Sequence, residues 1–358
     1  MATVKIIKTK PGSVVADYQK LLASYQKSLP KNQPIIIKLN LSWTKFYPAC
    51  SSPPWQLEGT IKGLLNLGFR PSRIIPVENK TVVTNVYQGA KNHAWDKVCR
   101  KYNVRFRYLP EEEYVFYQPK ARLLVLDRIF PRGILLPKII FSKPLISLCT
   151  LKTHVFTSTT GAVKNYFGML NTRRHWAHRF IHEAIIDLLQ IQKELHPQII
   201  GLMDGSVVGY GPGPRAMKWR EANLILASED EIALDSTAAS IIGLNEKKIK
   251  FLNLGKKLKL GENDLSKVKI EGVGELPNFR LKGGETLASR GQKLIYHHFP
   301  LWLEKILLQT VLVPWSYLAS RLYHDIYWYP QVGQKRIGEY QKTNWGKLFK
   351  SYQEQPLK

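Results

Sequence analysis

What most constrains the fold of this chain is a short run of β-branched apolar residues that recurs and each time stops on a polar group. Pro34-Ile-Ile-Ile-Lys-Leu39 ends at Asn40, Arg73-Ile-Ile-Pro-Val77 at Glu78, and Leu123-Leu-Val-Leu126 at Asp127. Pro144-Leu-Ile-Ser-Leu-Cys-Thr-Leu151 ends at Lys152-Thr153-His154, Ile199-Ile-Gly-Leu-Met203 at Asp204, and Asn223-Leu-Ile-Leu-Ala227 at Ser228-Glu229-Asp230. A strand with one wet face alternates apolar and polar residues, whereas a continuous run reads as a strand buried on both faces. Between these runs the apolar spacing turns helical. One such stretch, Leu57 to Leu67, stops at Gly68; others run from Ile181 to Leu195 and from Ile232 to Ile242, the last stopping at Gly243. Glycine is the usual helix terminator. Strand and helix in alternation predict an α/β fold, a mostly parallel sheet with helices on both faces.

The last stretch has a different texture. Trp302, Trp315, Tyr317, Tyr323, Tyr327, Trp328, Tyr329, Tyr340, Trp345 and Tyr352 stand there among Lys and Arg, and a helical pattern from Phe299 to Val313 meets Pro314. The expected organisation is an α/β body over residues 1–285 and a helical, basic, aromatic-rich C-terminal extension over 286–358.

Charge narrows the partners. Lys and Arg number 53 against 27 Asp and Glu, a formal net charge of +26. Such a surface attracts polyanions: nucleic acid, anionic lipid, or a phosphate- or carboxylate-bearing small molecule. The three cysteines, Cys50, Cys99 and Cys149, form no C-x-x-C pair, which speaks against a zinc ribbon or a Cys-bound iron–sulfur cluster. Without a disulfide framework the expected compartment is a reducing cytoplasm. The N-terminal residues are too weakly apolar for a secretory signal, and no clean apolar stretch of about 20 residues suggests a spanning helix.

In parallel sheets ligands bind beyond the carboxyl ends of the strands, so the six polar groups are expected to share one crevice. The richest segment follows Lys152 and His154: hydroxyls from Thr157 to Thr160, then Gly161, Lys164 and Asn165. It reads either as an anion cradle at a helix start or as an ordinary Ser/Thr-capped helix. The Walker spacing is absent. Lys38 and Asn40 close the first strand. His175, His178 and His182 fall at i, i+3 and i+7, one face of an α-helix, and are candidate metal ligands. The neighbouring Arg173, Arg174 and Arg179 favour an anion there instead. Asp204 reads as a general base, a metal ligand or an Asx turn, and it precedes a loop in which Gly211 and Gly213 alternate with proline. Asp235, inside an apolar helix, is expected to need a partner in the crevice. Cys50 has no motif that places a base beside it.

Taken together, Lys38-Leu-Asn-Leu-Ser42, Lys152-Thr-His154, Thr159-Thr-Gly-Ala-Val-Lys-Asn165, Ile181-His-Glu-Ala-Ile185, Met203-Asp-Gly205, Gly211-Pro-Gly-Pro214, Leu226-Ala-Ser228 and Ala233-Leu-Asp235 resemble the family catalogued as domain of unknown function 362, over roughly residues 35–275. The resemblance implies a shared site at those residues and supplies no reaction. Some members carry ferredoxin-like cysteine clusters, which this chain lacks. A shorter similarity, confined to His154, Gly161 and Lys164, is to the N-terminal part of nickel-pincer lactate racemases and assigns no cofactor.

These readings lead to an enzyme acting on an anionic small molecule or a lipid-soluble substrate. His154, Asp204 and Asp235 would be its catalytic groups. Lys38, Asn40, Lys152, Thr159, Thr160, Gly161, Lys164, Asn165, Arg173, Arg174, Gly211 and Gly213 would hold the ligand, the cofactor being left open. A second expectation is a non-enzymatic protein of the membrane surface, docked through its aromatic, basic C-terminal extension. The third is nucleic-acid binding.

Overall fold

The computed structural model describes residues 1–81, 83–300, 302, 303, 306 and 314–354. Among the described residues eleven strands are present: β1 (Ala2–Lys8), β2 (Ile35–Lys38), β3 (Ile74–Glu78), β4 (Arg107–Tyr108), β5 (Tyr114–Tyr117), β6 (Ile134–Pro137), β7 (Leu145–His154), β8 (Ser158–Thr160), β9 (Ile199–Tyr210), β10 (Lys218–Ser228) and β11 (Val268–Glu271). All but β5 and β6, which pair with each other, belong to one nine-stranded sheet. Its order is β11-β1-β10-β9-β7-β2-β3-β4, with β8 folded back on β7. β2, β3, β4, β7 and β9 run parallel, and β1 is parallel to β11; β10 is antiparallel to both its neighbours.

The period of two in a strand divides the apolar runs between two cores. Ile35, Ile37 and Leu39 face the helices Val14–Ala23 and Pro54–Asn66, while Ile36 joins Ile181–Leu195 and Lys250–Lys257 on the opposite face. These isoleucines are fully buried, each stabilising the fold by about 1.5–3 kcal/mol. Helices therefore cover both faces, as the unbroken apolar runs require.

Three of the six runs depart from expectation. Leu123 to Leu126 is no strand. The backbone N–H groups of Leu124, Val125 and Leu126 donate to the Asp187 carboxylate at 2.7, 2.8 and 2.9 Å, which curls the segment into the short helix Leu126–Ile129. β9 does not stop at Asp204 but continues to Tyr210, because β10 pairs along it. Since β10 runs the other way, Ser228 lies opposite Gly201. Its polar terminus thus sits at the amino edge of the parallel strands, where Asp230 caps the helix Glu231–Ile241 through Ala233 N at 2.9 Å.

Part of the C-terminal extension packs into the α/β body. Tyr340, Trp345, Phe349 and Tyr352 are buried in the same core as β2. Trp345 Nε1 donates to Asn223 at 2.7 Å, the Tyr352 hydroxyl donates to Glu58, and Trp43 Nε1 donates to Asp325 at 2.6 Å. Of the expected helix from Phe299 to Val313, residues 301, 304, 305 and 307–313 lie outside the described residues, as do the side chains of Trp315 and Tyr317. Among the described residues no helix is long and apolar enough to cross a membrane.

Candidate functional site

A cavity of about 450 Å³ lies beyond the carboxyl ends of β2, β3 and β7. Lys38 and Asn40 reach it from β2, Glu78 and Asn79 from β3, and His154 from β7. The segment after β8 contributes Lys164, Asn165, Arg174, His175 and His178, and the Gly-Pro loop contributes Gly213 and Arg215. Ser289, Gln292, Ser320 and His324, from the C-terminal helices, complete the wall. Four cationic side chains (Lys38, Lys164, Arg174 and Arg215) and four imidazoles (His154, His175, His178 and His324) meet one carboxylate, Glu78.

That carboxylate serves Lys38. The Lys38 ammonium donates to Glu78 Oε1 at 2.7 Å and to the Leu39 carbonyl at 2.6 Å. Glu78 Oε2 is buried without a hydrogen-bond partner. Lys152 stands behind the wall, its ammonium surrounded by four oxygens: Cys50 O (2.6 Å), Thr150 Oγ1 (2.7 Å), Asn40 Oδ1 (2.8 Å) and Ser42 Oγ (3.2 Å). Asn40 donates to Asn165 Oδ1 at 3.3 Å, and Asn165 donates to Ser147 Oγ at 3.0 Å. The fully hydrogen-bonded lysine thus anchors the asparagines that face the cavity.

Lys164 is held differently. Its ammonium makes no hydrogen bond or ion pair among the described residues and lies 5.9 Å from the centre of the Phe167 ring. Burial, followed by the positive charges of Lys152 and Arg174, pushes it down to about 7. The same lysine acts on its neighbours. Burial, then Lys164, holds His154 well below the usual imidazole range, and the same two causes bring His178 to about 3. Both rings are therefore neutral, and their hydrogen bonds fix the tautomers. His154 Nδ1 accepts from the N–H of Phe156 at 3.1 Å and of Thr157 at 3.4 Å, so its proton is on Nε2. His178 Nδ1 donates to the His175 carbonyl at 3.2 Å, which leaves Nε2 an acceptor. Arg174 donates to the carbonyls of Phe167 and Lys80. Arg215 Nη2 donates to Ser320 Oγ at 3.0 Å, while its Nη1 is buried without a hydrogen-bond partner.

Other expected site residues lie elsewhere. The cradle at the helix start is already filled by the protein's own anion. Asp235 accepts from the N–H of Ala162 at 2.7 Å and of Val163 at 3.1 Å, and any Cβ at Gly161 would overlap its Oδ1. Burial raises Asp235 to about 7. The carboxylate organises the loop that carries Lys164 and does not line the cavity. Asp204, in mid-strand, accepts from Tyr18 Oη (2.8 Å), Trp55 Nε1 (2.9 Å) and Ser206 Oγ (2.6 Å), on the face of the sheet away from the cavity helices. Thr159 and Thr160 bond back to the carbonyls of Lys152 and Thr150 at 3.2 and 3.3 Å, bracing the β7–β8 turn.

Arg173 is exposed, its guanidinium 5.1 Å from the Trp176 ring. Gly211 takes φ +91° next to the cavity loop, and Gly213 is on the wall, where a Cβ would strike the Thr153 carbonyl. The three histidines do not share a face, because residues 172–180 wind as 3₁₀ turns and the α-helix begins only at Ile181. Three residues per turn keep His175 and His178 together on the cavity. His182 instead packs on Phe251, ring centres 6.2 Å apart. Among the described residues no three His, Cys, Asp or Glu side chains are grouped to hold a metal ion.

Glu78 and Asn79 were expected at the crevice only as the polar end of an apolar run, with no role in the ligand site, and Arg215 and His324 were not expected. Glu78 and Asn79 end an apolar run and Arg215 follows the Gly-Pro loop, so both positions carried a signal. His324 arrives through tertiary folding, and nothing in its local sequence marks it.

Neither a curated protein nor a solved structure matches the chain. A family model described as Domain of unknown function (DUF362) matches residues 35–240, ending short of the expected 275 and spanning β2 through most of the helix Glu231–Ile241. As that match covers more than half of the 358 residues, the chain belongs to the DUF362 family.

Proposed function

We propose that this protein is an enzyme that binds a small molecule bearing a carboxylate or phosphate in the cavity beyond β2, β3 and β7. The observation that carries the reading is the imbalance of the wall, four basic side chains to one carboxylate, with that carboxylate already paired to Lys38. Enclosed cations that outnumber the carboxylates on their wall gain most from an anionic ligand, because water screens them least. Arg215 Nη1 and Arg174 would grip the anionic group, and His154 Nε2–H would donate to an oxygen on the reacting part. The test is thermal unfolding with inorganic phosphate or succinate against chloride at matched ionic strength. A rise of a few degrees with either anion is expected. Arg215→Met should weaken the apparent Kd by about tenfold or more, the loss of a charged hydrogen bond. No difference from chloride overturns the reading.

A second reading, docking on an anionic membrane, is favoured by where the exposed apolar side chains fall. Among the described residues twelve large ones are exposed, and eight of these are Leu287, Leu294, Trp302, Ile306, Leu318, Leu322, Ile326 and Tyr327. Exposed apolar side chains concentrated in one stretch of a strongly basic chain suit an interfacial surface. The same C-terminal helices wall the cavity, so both readings hold together for a lipid-borne substrate. Sedimentation with vesicles containing phosphatidylglycerol should exceed that with phosphatidylcholine alone. The triple variant Leu318→Ser, Leu322→Ser, Ile326→Ser should lose most of the excess; an unchanged excess would remove the membrane from the account.

A further inference from the structure

The anion-binding reading leaves Lys164 without a task that suits it. An amine meant to grip an anion is best kept charged and held, as Lys38 is by Glu78 and Leu39 O, and as Lys152 is by its four oxygens. Lys164 shares the cavity with Arg174 and has neither a counter-ion nor an acceptor among the described residues. From the partnerless amine, the cations near it and the Nε2–H of His154 lining the same cavity, we infer that Lys164 is a nucleophile that condenses with an aldehyde or ketone carrying a carboxylate or phosphate. The inference rests on the anion-binding reading and names its substrate class.

The chemistry is redox-neutral and complete within these groups. The Nζ lone pair forms a bond to the carbonyl carbon while the carbonyl π pair moves onto oxygen. His154 Nε2–H donates a hydrogen bond to that oxygen, and its neighbour-fixed tautomer keeps the donor in place. The two amine hydrogens then leave with the oxygen as water, and the C–N double bond of an imine remains. The anionic arm of the substrate stays on Arg174 and Arg215, so the wall both supplies the nucleophile and orients its target. Lys152, Arg174, His154 and His178 are the titratable and charged groups that act on Lys164 or are acted on by it. With both imidazoles neutral, the net field at the amine is that of two cations, which favours its uncharged, nucleophilic form.

The test uses the intact wild-type chain with glyoxylate as the probe, sodium cyanoborohydride as the trap, and peptide mapping by mass spectrometry at pH 7. An ordinary lysine keeps only about one amine in 10³ neutral at that pH. Lys164 should therefore acquire a carboxymethyl group at least about tenfold faster than the median of the other lysines, and inorganic phosphate should slow it. If Lys164 reacts no faster than the rest while phosphate and succinate still raise the unfolding temperature, the imine is wrong and the anion site stands. If the labelling and the temperature rise both fail, the two readings fall together.

Discussion

An ammonium group on a cavity wall with cations for neighbours works against folding, and the sign of its pH dependence follows from that. Lys164 is pushed from the ordinary 10.5 down to about 7 in the folded chain. Below pH 7 the group is charged in both folded and unfolded states, so the full cost of holding the charge in the cavity is present. As pH rises through 7 the folded form loses its proton first, and the cost shrinks until it vanishes above about 10.5. Lys164→Met, close in volume, should therefore stabilise the protein at pH 6 by on the order of 1 kcal/mol, with the gain fading by pH 10. Urea denaturation at the two pH values decides it, and a variant no more stable than wild type at pH 6 would contradict the burial argument. Lys38, Asn40 and His154 were legible in the sequence because each stands at or just after the carboxyl end of a parallel strand, where the crevice rule applies, and Lys164 and Asn165 because they follow the hydroxyl-rich turn and Gly161. Asp204 was misplaced because the end of an apolar run need not be the end of its strand: β9 stays buried to Gly209 and paired with β10 to Tyr210.

The short segment Ala162–Asn165 shows how one element depends on another distant in sequence. It has too few residues to be stable by itself, and its first N–H groups are satisfied by Asp235 from the helix Glu231–Ile241. Asp235→Ala should leave Ala162 N and Val163 N unpartnered in a dry site, at a cost of about 2 kcal/mol. It should also free Lys164 from its fixed position. Chemical denaturation reads the first effect; a change below about 0.5 kcal/mol, the level of an ordinary surface substitution, would show that the cap matters little. From sequence the Thr-rich turn and Asp235 looked like separate parts of a ligand site. Their meeting is a pairing between a loop and a helix about 70 residues apart, and no local periodicity encodes such a pairing. The helices Ile181–Leu195 and Glu231–Ile241, in contrast, were readable to within a residue, since an apolar stripe and a helix stop are local signals.

In the molecule as a whole, the parallel core was evident because unbroken isoleucine runs have no other stable home. The role of the C-terminal residues was not. Trp, Tyr and Lys in alternation suit an interfacial helix and a packed one equally well, and only the partners distinguish them. Trp345 and Tyr352 found Asn223 and Glu58 inside the body, whereas Leu318, Leu322 and Ile326 stayed exposed. The composition that suggested a single appendage thus covers two behaviours. The helix Asn344–Glu354 stacks Phe349 on Phe46, ring centres 3.6 Å apart, and Trp345 near Trp55 at 5.3 Å. On the ribosome every described strand emerges before those three late aromatics do. Until the helix Asn344–Glu354 emerges, the nascent sheet therefore keeps the faces of Phe46 and Trp55 that this helix covers open, a greasy surface that chaperones or neighbouring chains can seize.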